Sequence, residues 1–396
     1  MFNIILLGFT SLLTDISSEM VYPILPVYLV TKLGASPAIL GLIEGIAESL
    51  ASLLKVFSGY FSDKIKLRKP FTIFGYAASV AGKFFLFIST SWGYVLLARI
   101  VDRFGKGIRT APRDALIAES SPEGKRGAAF GLHRAMDTMG AVIGVLCAYF
   151  LVTHYKGEFK NIFLISIIPA ILGVLILFLV KEKRVVPAQA KGKKPEFFCP
   201  VVKPEAGLRL AEKWRALDRR LKLFLVFTFV FTLGNSSNQF LLLRAQNLGN
   251  PLPVVILLYL FYNLSYAVVS YPAARLSDKI GRKKLLVLGY LFYALVYLGF
   301  ALNKSPQNFW FLFGFYGLYI GFTEGTEKAL VADIAPSGLR ATALGLHAAL
   351  VGIGLLPASI FAGLLWKFLA PQAAFYFGSL MGLVASIGFW WVLKGI

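Results

Sequence analysis

Seven charged residues between positions 99 and 114 lie on one side of a predicted helix. They are Arg99, Asp102, Arg103, Lys106, Arg109, Arg113 and Asp114. At about 100° per residue they fall within an arc of roughly 140°, and the opposite side is apolar. If the helix crosses a membrane, each charge costs at least ~2.5–3.5 kcal/mol unless it has a partner or reaches water. We therefore expect this face to line a polar interior, where acids and bases could bind a charged ligand or carry protons.

Three other apolar segments also carry charged residues on one face. These are Asp15 and Glu19 in the first segment, Glu44 and Glu48 in the second, and His133 and Asp137 in the fifth. Carboxylates and histidine can change protonation near neutral pH when they are buried. We predict that these six residues form a substrate- or ion-binding site with four residues of the charged stripe. Those four are Arg99, Asp102, Arg103 and Lys106. Acids and bases are nearly balanced here, so a structural network of ion pairs is the alternative interpretation.

The second half of the chain contributes mainly uncharged polar groups to the predicted site. Its candidates are Asn235, Asn238, Asn263 and Glu324. This asymmetry suggests that ion coupling belongs to the first half, while the second half supplies neutral and aromatic contacts.

The elements that must position these residues are membrane-spanning helices. Of the 396 residues, 57% are hydrophobic and 15% are charged, and the mean hydropathy is +0.70. About 20 apolar residues are needed to cross a bilayer core of about 30 Å, and the sequence offers that length repeatedly. We predict an all-α membrane protein with twelve transmembrane helices. The first span is predicted at Asn3–Val30 and the seventh at Leu221–Ala245, with a polar break after Asn235.

The net charge of +21 does not indicate nucleic-acid binding, because the basic residues alternate between loops. Lysine and arginine concentrate in the loops at 64–69, 125–126, 181–220 and 279–284, and are scarce at 31–37, 89–92, 246–251 and 303–308. This positive-inside pattern predicts that both termini are cytoplasmic and that the protein is multi-pass in the inner membrane. The basic residues are also expected to contact membrane lipids.

The two halves of the sequence repeat each other. The segment Ala115–Pro122 aligns with Ala329–Pro336 at an offset of 214 (329 − 115), and His133 aligns with His347 at the same offset. Duplicated six-helix units are a common construction of secondary transporters. We therefore predict two six-helix bundles, at residues 1–180 and 221–396, joined by a cytoplasmic linker at residues 181–220.

Two loops carry the motif by which a family can be recognised. Gly59-x-x-Ser62-Asp63-Lys64-x-x-x-Arg68-Lys69 and Ala274-x-x-Ser277-Asp278-Lys279-x-Gly281-Arg282-Lys283 resemble the loop signature of the major facilitator superfamily. Lys66 and Leu67 depart from the pattern in the first copy. The segment from Arg99 to Asp114 is similar to the fourth helix of a bacterial branch of that superfamily.

The resemblance implies a cytoplasmic gate latch formed by residues at the helix ends. Asp63 with Arg68, and Asp278 with Lys283, would form it, and Glu119 and Asp333 at matching repeat positions would complete it. Their expected role is conformational, without contact to the substrate.

We predict a secondary active transporter that moves a small organic solute by alternating access, coupled to protons by antiport and acting as an exporter. A divalent-metal exporter using the carboxylates and His133 is one alternative, and a non-transporting membrane sensor is another. The sequence contains no metal-ligand spacing, nucleotide-binding loop or nucleophile elbow. We therefore expect no enzyme activity, no cofactor and no resident metal, and a monomeric protein.

Overall fold

The part of the chain that the structure describes is mostly helical. The computed structural model describes residues 2–65, 68–121, 126–182, 218–335 and 340–392, and these ranges contain no β-strand. The helices of the first half are α1 (Phe2–Val21), α2 (Leu25–Val27), α3 (Pro37–Ile65), α4 (Lys69–Phe87), α5 (Trp92–Ser120), α6 (Arg126–His154) and α7 (Phe159–Leu179). The helices of the second half are α8 (Arg219–Gly234), α9 (Gln239–Asn247), α10 (Leu252–Ile280), α11 (Arg282–Leu302), α12 (Phe309–Ile334), α13 (Arg340–Phe368) and α14 (Pro371–Val392).

Nine helical segments of the described ranges are long and apolar enough to cross a membrane. The prediction of an all-α membrane protein is therefore confirmed. Helices α5 and α12 are also long, but they are more polar and are not among the nine. Helices α8 and α9, of 16 and 9 residues, are each too short to be counted. The total of twelve spans remains a prediction.

Helix α7 illustrates the lipid-facing part of the fold. It is apolar on all sides, and it exposes Leu172, Leu175 and Phe178 by 47%, 55% and 60%. A helix satisfies its backbone hydrogen bonds internally, so apolar side chains can face hydrocarbon without an unsatisfied polar group. Helix α5 differs because its charged face must turn inward.

Two of the predicted spans are interrupted. Helix α1 ends at Val21, and the chain continues through α2 into a π-helical turn at Tyr28–Lys32. Pro23 falls in this break, where a proline removes a backbone donor and disfavours a continuous helix. The seventh span is divided between α8 and α9, because residues 235–238 form a non-helical connection.

The helices pack mainly within each half of the chain. Helix α1 contacts α6 and α7, and α5 contacts α3 and α4; in the second half α12 contacts α10 and α11, and α14 contacts α8 and α11. The main contacts between the halves are α3 with α13 and α6 with α10. This pattern supports a division into bundles at 1–180 and 221–396, which we retain as a proposal. Most of the predicted linker, residues 183–217, lies outside the described residues.

Helices α3 and α13 approach each other through glycine. A Cβ atom at Gly41 would overlap the carbonyl oxygen of Ser359, and one at Gly45 would lie 2.9 Å from the carbonyl oxygen of Leu356. Further along the same contact, the Ser49 hydroxyl donates a hydrogen bond of 2.6 Å to a carbonyl of α13. The two halves are therefore in backbone contact along the first half of α3.

We expect Gly41→Ala to lower the melting temperature of the detergent-purified protein. The added methyl group would force two backbones apart, and overpacking of this kind costs about 1–3 kcal/mol. Gly131→Ala in α6 is the matched control, because a Cβ atom there meets nothing within 4 Å. Equal melting temperatures for the two variants would contradict the close α3–α13 contact.

Candidate functional site

A cavity of about 340 Å³ lies between the helices, and residues from both halves of the chain form its wall. The wall includes the predicted site residues Asp15, Glu19, Glu48, Arg99, Asp102, Arg103, Lys106, Asn235 and Asn238. The other predicted residues, Glu44, His133, Asp137, Asn263 and Glu324, do not line this central cavity.

Glycine also determines how α5 presents its charged face. A Cβ atom at Gly105 would overlap the carbonyl oxygen of Gly75, and one at Gly82 would lie 2.8 Å from the carbonyl oxygen of Ala98. Helices α4 and α5 are therefore in backbone contact. Because Gly105 of α5 faces α4, most of the charged stripe is directed towards α1, α3 and the central cavity, while Asp102 and Arg109 also contact α4.

The tightest ion pair of the site joins Arg99 to Glu44. The guanidinium Nε donates to one carboxylate oxygen at 2.8 Å, and Nη2 donates to the other at 2.9 Å. The Glu44 side chain is completely buried. It also accepts a hydrogen bond of 3.3 Å from Ser237 of the second half. Glu44 thus lies behind the cavity wall and neutralises Arg99.

Two further pairs extend this network along α5. Arg103 lies 2.9 Å from Glu48, and Lys83 of α4 lies 3.7 Å from Asp102. Each of these cations therefore faces a carboxylate. The Nε atom of Arg103 and the Oδ1 atom of Asp102 are buried without a hydrogen-bond partner among the described residues.

The carboxylates of α1 are bound differently. Glu19 accepts a hydrogen bond of 2.9 Å from the Tyr259 hydroxyl of the second half, and the ring of Tyr259 lies 5.5 Å from that of Tyr22. Asp15 has no hydrogen bond or ion pair with any described residue. Within the described ranges, no basic nitrogen lies within 4 Å of either carboxylate. These two acids are therefore available to a proton or a ligand.

A second cavity of about 500 Å³ adjoins the central one. Asp15, Lys106 and Arg109 line both cavities. The second cavity also contacts Asp137 and Asn263, and it lies towards the helix ends that carry the basic loops. These shared residues form the junction between the two cavities.

His133 and Glu324 lie outside both cavities. The Nδ1 atom of His133 is 3.6 Å from Asp137, one helical turn away. Glu324 accepts a hydrogen bond of 2.5 Å from Tyr266 and lies 3.3 Å from Lys328. Both residues have partners of their own and do not reach the central site in this conformation.

The second half contributes a neutral wall. The Tyr316 hydroxyl donates to Asn238 at 2.8 Å, and the Asn238 amide donates to the Tyr262 hydroxyl at 3.3 Å. These contacts fix the side chain of Asn238 at the break between α8 and α9.

Several residues of the cavity wall were missing from the predicted site. They are Ser18, Tyr22, Lys83, Arg109, Ser236, Ser237 and Tyr259. Lys83 carried a detectable signal, because it is an isolated charge in an otherwise apolar helix. Tyr259 fits the expected aromatic contacts of the second half, but its own signal was weak, since an aromatic residue in a membrane helix is usually involved in packing.

The helix ends on the side of the basic loops carry a matching pair of ion pairs. Arg68 lies 3.0 Å from Glu119, and Arg282 pairs with Asp333. Arg282 and Asp333 occupy the positions that match Arg68 and Glu119 in the repeat, at the same offset of 214 (282 − 68 and 333 − 119). Lys283 lines a nearby cavity with Asp333. The side chains of two other predicted latch residues, Asp63 and Asp278, lie outside the described part of the structure.

Apolar helices enclose a charged cavity whose wall comes from both halves of the chain. This is the architecture of a membrane transport protein. The family follows from comparison of the whole chain. The chain belongs to the Major Facilitator Superfamily, whose family model matches residues 7–243 and 223–395. The resemblance seen in the loop motifs is thereby confirmed.

Individual relatives support this assignment. The chain is 39% identical over 391 residues to an uncharacterised MFS-type transporter of Methanocaldococcus jannaschii, covering 97% of this chain and 93% of that protein. It is 24% identical over 345 residues to the multidrug resistance protein MdtH of Photorhabdus laumondii, covering 85% and 80%. Among solved structures, the nucleoside transporter NupG is similar with a TM-score of 0.83 at 14% identity, covering 100% of both chains. That likeness shows the fold.

We expect Glu44→Gln to destabilise the protein strongly. Removing one partner of a buried ion pair costs about 3–5 kcal/mol, because the other charge loses its closest compensation. Arg99 would keep only the more distant Glu48, at 3.8 Å, and Asp102, at 4.0 Å. Thermal unfolding in detergent measures the effect, with Glu158→Gln, an exposed acid before α7, as the matched control. The double variant Glu44→Gln/Arg99→Gln should be less destabilised than the sum of the two single variants. Additive effects would show that the pair is not coupled.

Proposed function

We propose that the protein is a proton-coupled secondary active transporter of small hydrophilic organic solutes. It would have twelve transmembrane helices, both termini in the cytoplasm, and would act in the cytoplasmic membrane by alternating access. The central cavity would hold the solute, and the second cavity would connect it to the cytoplasm. The observation that carries this proposal is a charged cavity whose α1 carboxylates have no basic partner among the described residues.

The coupling groups that we propose are Asp15 and Glu19. A carboxylate without a salt bridge can gain or lose a proton without breaking an ion pair. Glu44 and Glu48, by contrast, neutralise Arg99 and Arg103, so their ionised form is held by a fixed positive charge. We therefore assign the latter two acids mainly to the network that supports the site.

His133 and Asp137 would form a second titratable pair beside the cytoplasmic cavity. Asp137 lines that cavity, and His133 is buried behind it. We propose that this pair passes protons between Asp15 and the cytoplasm.

The cytoplasmic ion pairs would act as conformational latches. Arg68 with Glu119, and Arg282 with Asp333, each join helix ends within one half of the chain. We propose that Asp63, Asp278 and Lys283 act with them at the same ends. Such pairs would hold each half rigid while the halves move against each other.

Export of a divalent metal is the second candidate, and the described residues give it little support. Within the described ranges no group of three or more histidine, cysteine, aspartate or glutamate side chains could hold a metal ion. Three of the predicted acids, Glu44, Glu48 and Asp102, already face basic partners. An organic solute is the better match to the neutral wall around Asn238.

The direction of transport depends on how solute and proton affect each other. If they compete for one site, an inward proton gradient drives export by antiport. The likeness to a protein named for multidrug resistance favours export. If they bind together, the same gradient drives uptake. The sign of this linkage is therefore the quantity to measure.

We expect Asp15→Asn and Glu19→Gln to abolish solute movement driven by a pH gradient while preserving exchange at equal pH. The amides mimic protonated carboxylates, so the carrier can change conformation but cannot release a proton. The measurement uses proteoliposomes and a panel of organic anions, organic cations and neutral solutes. Glu158→Gln is the control, since Glu158 is exposed outside both cavities.

Gradient-driven transport by both amide variants at the wild-type rate would disprove this coupling assignment. Thermal stabilisation by a divalent metal alone, lost in Asp15→Asn, would favour the metal exporter instead.

A further inference from the structure

The positive charges of α5 differ in how completely they are neutralised. Arg99 and Arg103 each lie within 3 Å of a glutamate oxygen. The ammonium group of Lys106, one turn further along α5, has no hydrogen bond and no carboxylate within 4 Å among the described residues. Its side chain is exposed, and it lines both the central and the second cavity. Lys106 therefore presents an unneutralised ammonium group to the cavity.

Arg109 adds a second positive charge at the same junction. Its guanidinium donates hydrogen bonds to the Ser79 hydroxyl and to the carbonyl oxygen of Gly75, and it lies 4.3 Å from the ring centroid of Tyr76. All of these partners are neutral. Since side chains three residues apart on a helix are neighbours, Lys106 and Arg109 form one positive patch.

A third group on this face also has a free donor. The Nε atom of Arg103 is buried without a hydrogen-bond partner among the described residues, although the same side chain pairs with Glu48. A buried donor without a partner costs free energy until a ligand or water accepts its hydrogen bond. Arg103, Lys106 and Arg109 thus occupy successive turns of α5 along the cavity wall.

We propose that the transported solute is a small organic anion whose carboxylate or phosphate group binds to Lys106, with Arg103 and Arg109 as supporting charges. This inference rests on the proposed function and names the substrate class of the same site. The remaining wall offers hydroxyl and amide groups, among them Ser18 and Asn238. The non-ionic part of the solute is therefore hydrophilic.

Asp15 sets the sign of proton coupling for such a solute. The charged groups that surround it are Glu19 on its own helix, Lys83 on α4, Lys106 and Arg109 on α5, and Asp137 on α6. An ionised Asp15 repels an anion bound at the same junction, whereas a protonated Asp15 does not. Anion and proton therefore promote each other's binding, and linkage makes this reciprocal. The coupling has the sign of co-transport, opposite to the antiport predicted from the sequence.

The test measures binding of four defined probes to the purified full-length protein by thermal shift and calorimetry. Succinate and glycerol 3-phosphate represent the carboxylate and phosphate anions, glycerol is the neutral probe, and choline is the cation. We expect millimolar binding of at least one anion, weakened about tenfold or more in Lys106→Gln because a charge-assisted hydrogen bond is lost. Lys106→Arg should retain most of the binding, and Lys160→Gln, outside both cavities, is the matched control.

The pH dependence provides an independent readout. Between acidic and neutral pH, where the Lys106 ammonium stays charged, wild-type protein should bind the anion more tightly at the lower pH after correction for the probe's own ionisation. Asp15→Asn should bind it with little dependence on pH over the same range. Binding by neither anion, or anion binding unchanged in Lys106→Gln, would overturn the proposal.

Transport assays separate this proposal from the function on which it rests. Gradient-driven transport of choline or glycerol that survives Lys106→Gln would overturn the anion assignment and leave a secondary transporter in place. Anion binding that depends on Lys106, without any transport in proteoliposomes, would overturn the proposed function instead.

Discussion

The cost of placing charge inside a bundle of membrane helices is the constraint on which the rest of this structure depends. Helix α5 carries a continuous charged face, and a buried charge without a partner is strongly destabilising. The two-point pairing of Arg99 with Glu44 meets this constraint most completely. It joins α3 to α5, and through Ser237 it also contacts the second half of the chain.

Because of the same cost, the charges that lack such partners are candidates for a functional role. Most charged residues of the central cavity are held in pairs, and these pairs make the wall rigid and nearly neutral. Asp15, Lys106 and Arg109 have no partner of opposite charge within 4 Å among the described residues, and all three lie where the two cavities meet. Groups of this kind can respond to a proton or a ligand without dismantling the structural network.

The proposed alternating access would act on two different contacts between the halves of the chain. On one side, α3 and α13 are in backbone contact through Gly41 and Gly45. On the other side, the cavity lined by Asp137 separates the halves. The repeated ion pairs at the helix ends lie within single halves, so they would not obstruct movement of one half against the other.

The sequence by itself determined the helical membrane architecture, the family, the charged face of α5 and the repeat at an offset of 214. All of these depend on composition or on regular spacing along one chain. It could not determine which acid neutralises which base. Glu44 and Glu48 are one turn apart on the same helix face, yet only Glu48 lines the cavity, and Glu44 is completely buried against Arg99. In the sequence Asp15 could not be distinguished from these two acids, but in the structure it has no basic partner among the described residues. These differences depend on how whole helices are rotated and how far apart they lie. Contacts between segments that are distant in sequence, such as the glycine contacts, set this arrangement, so only the tertiary structure decided it.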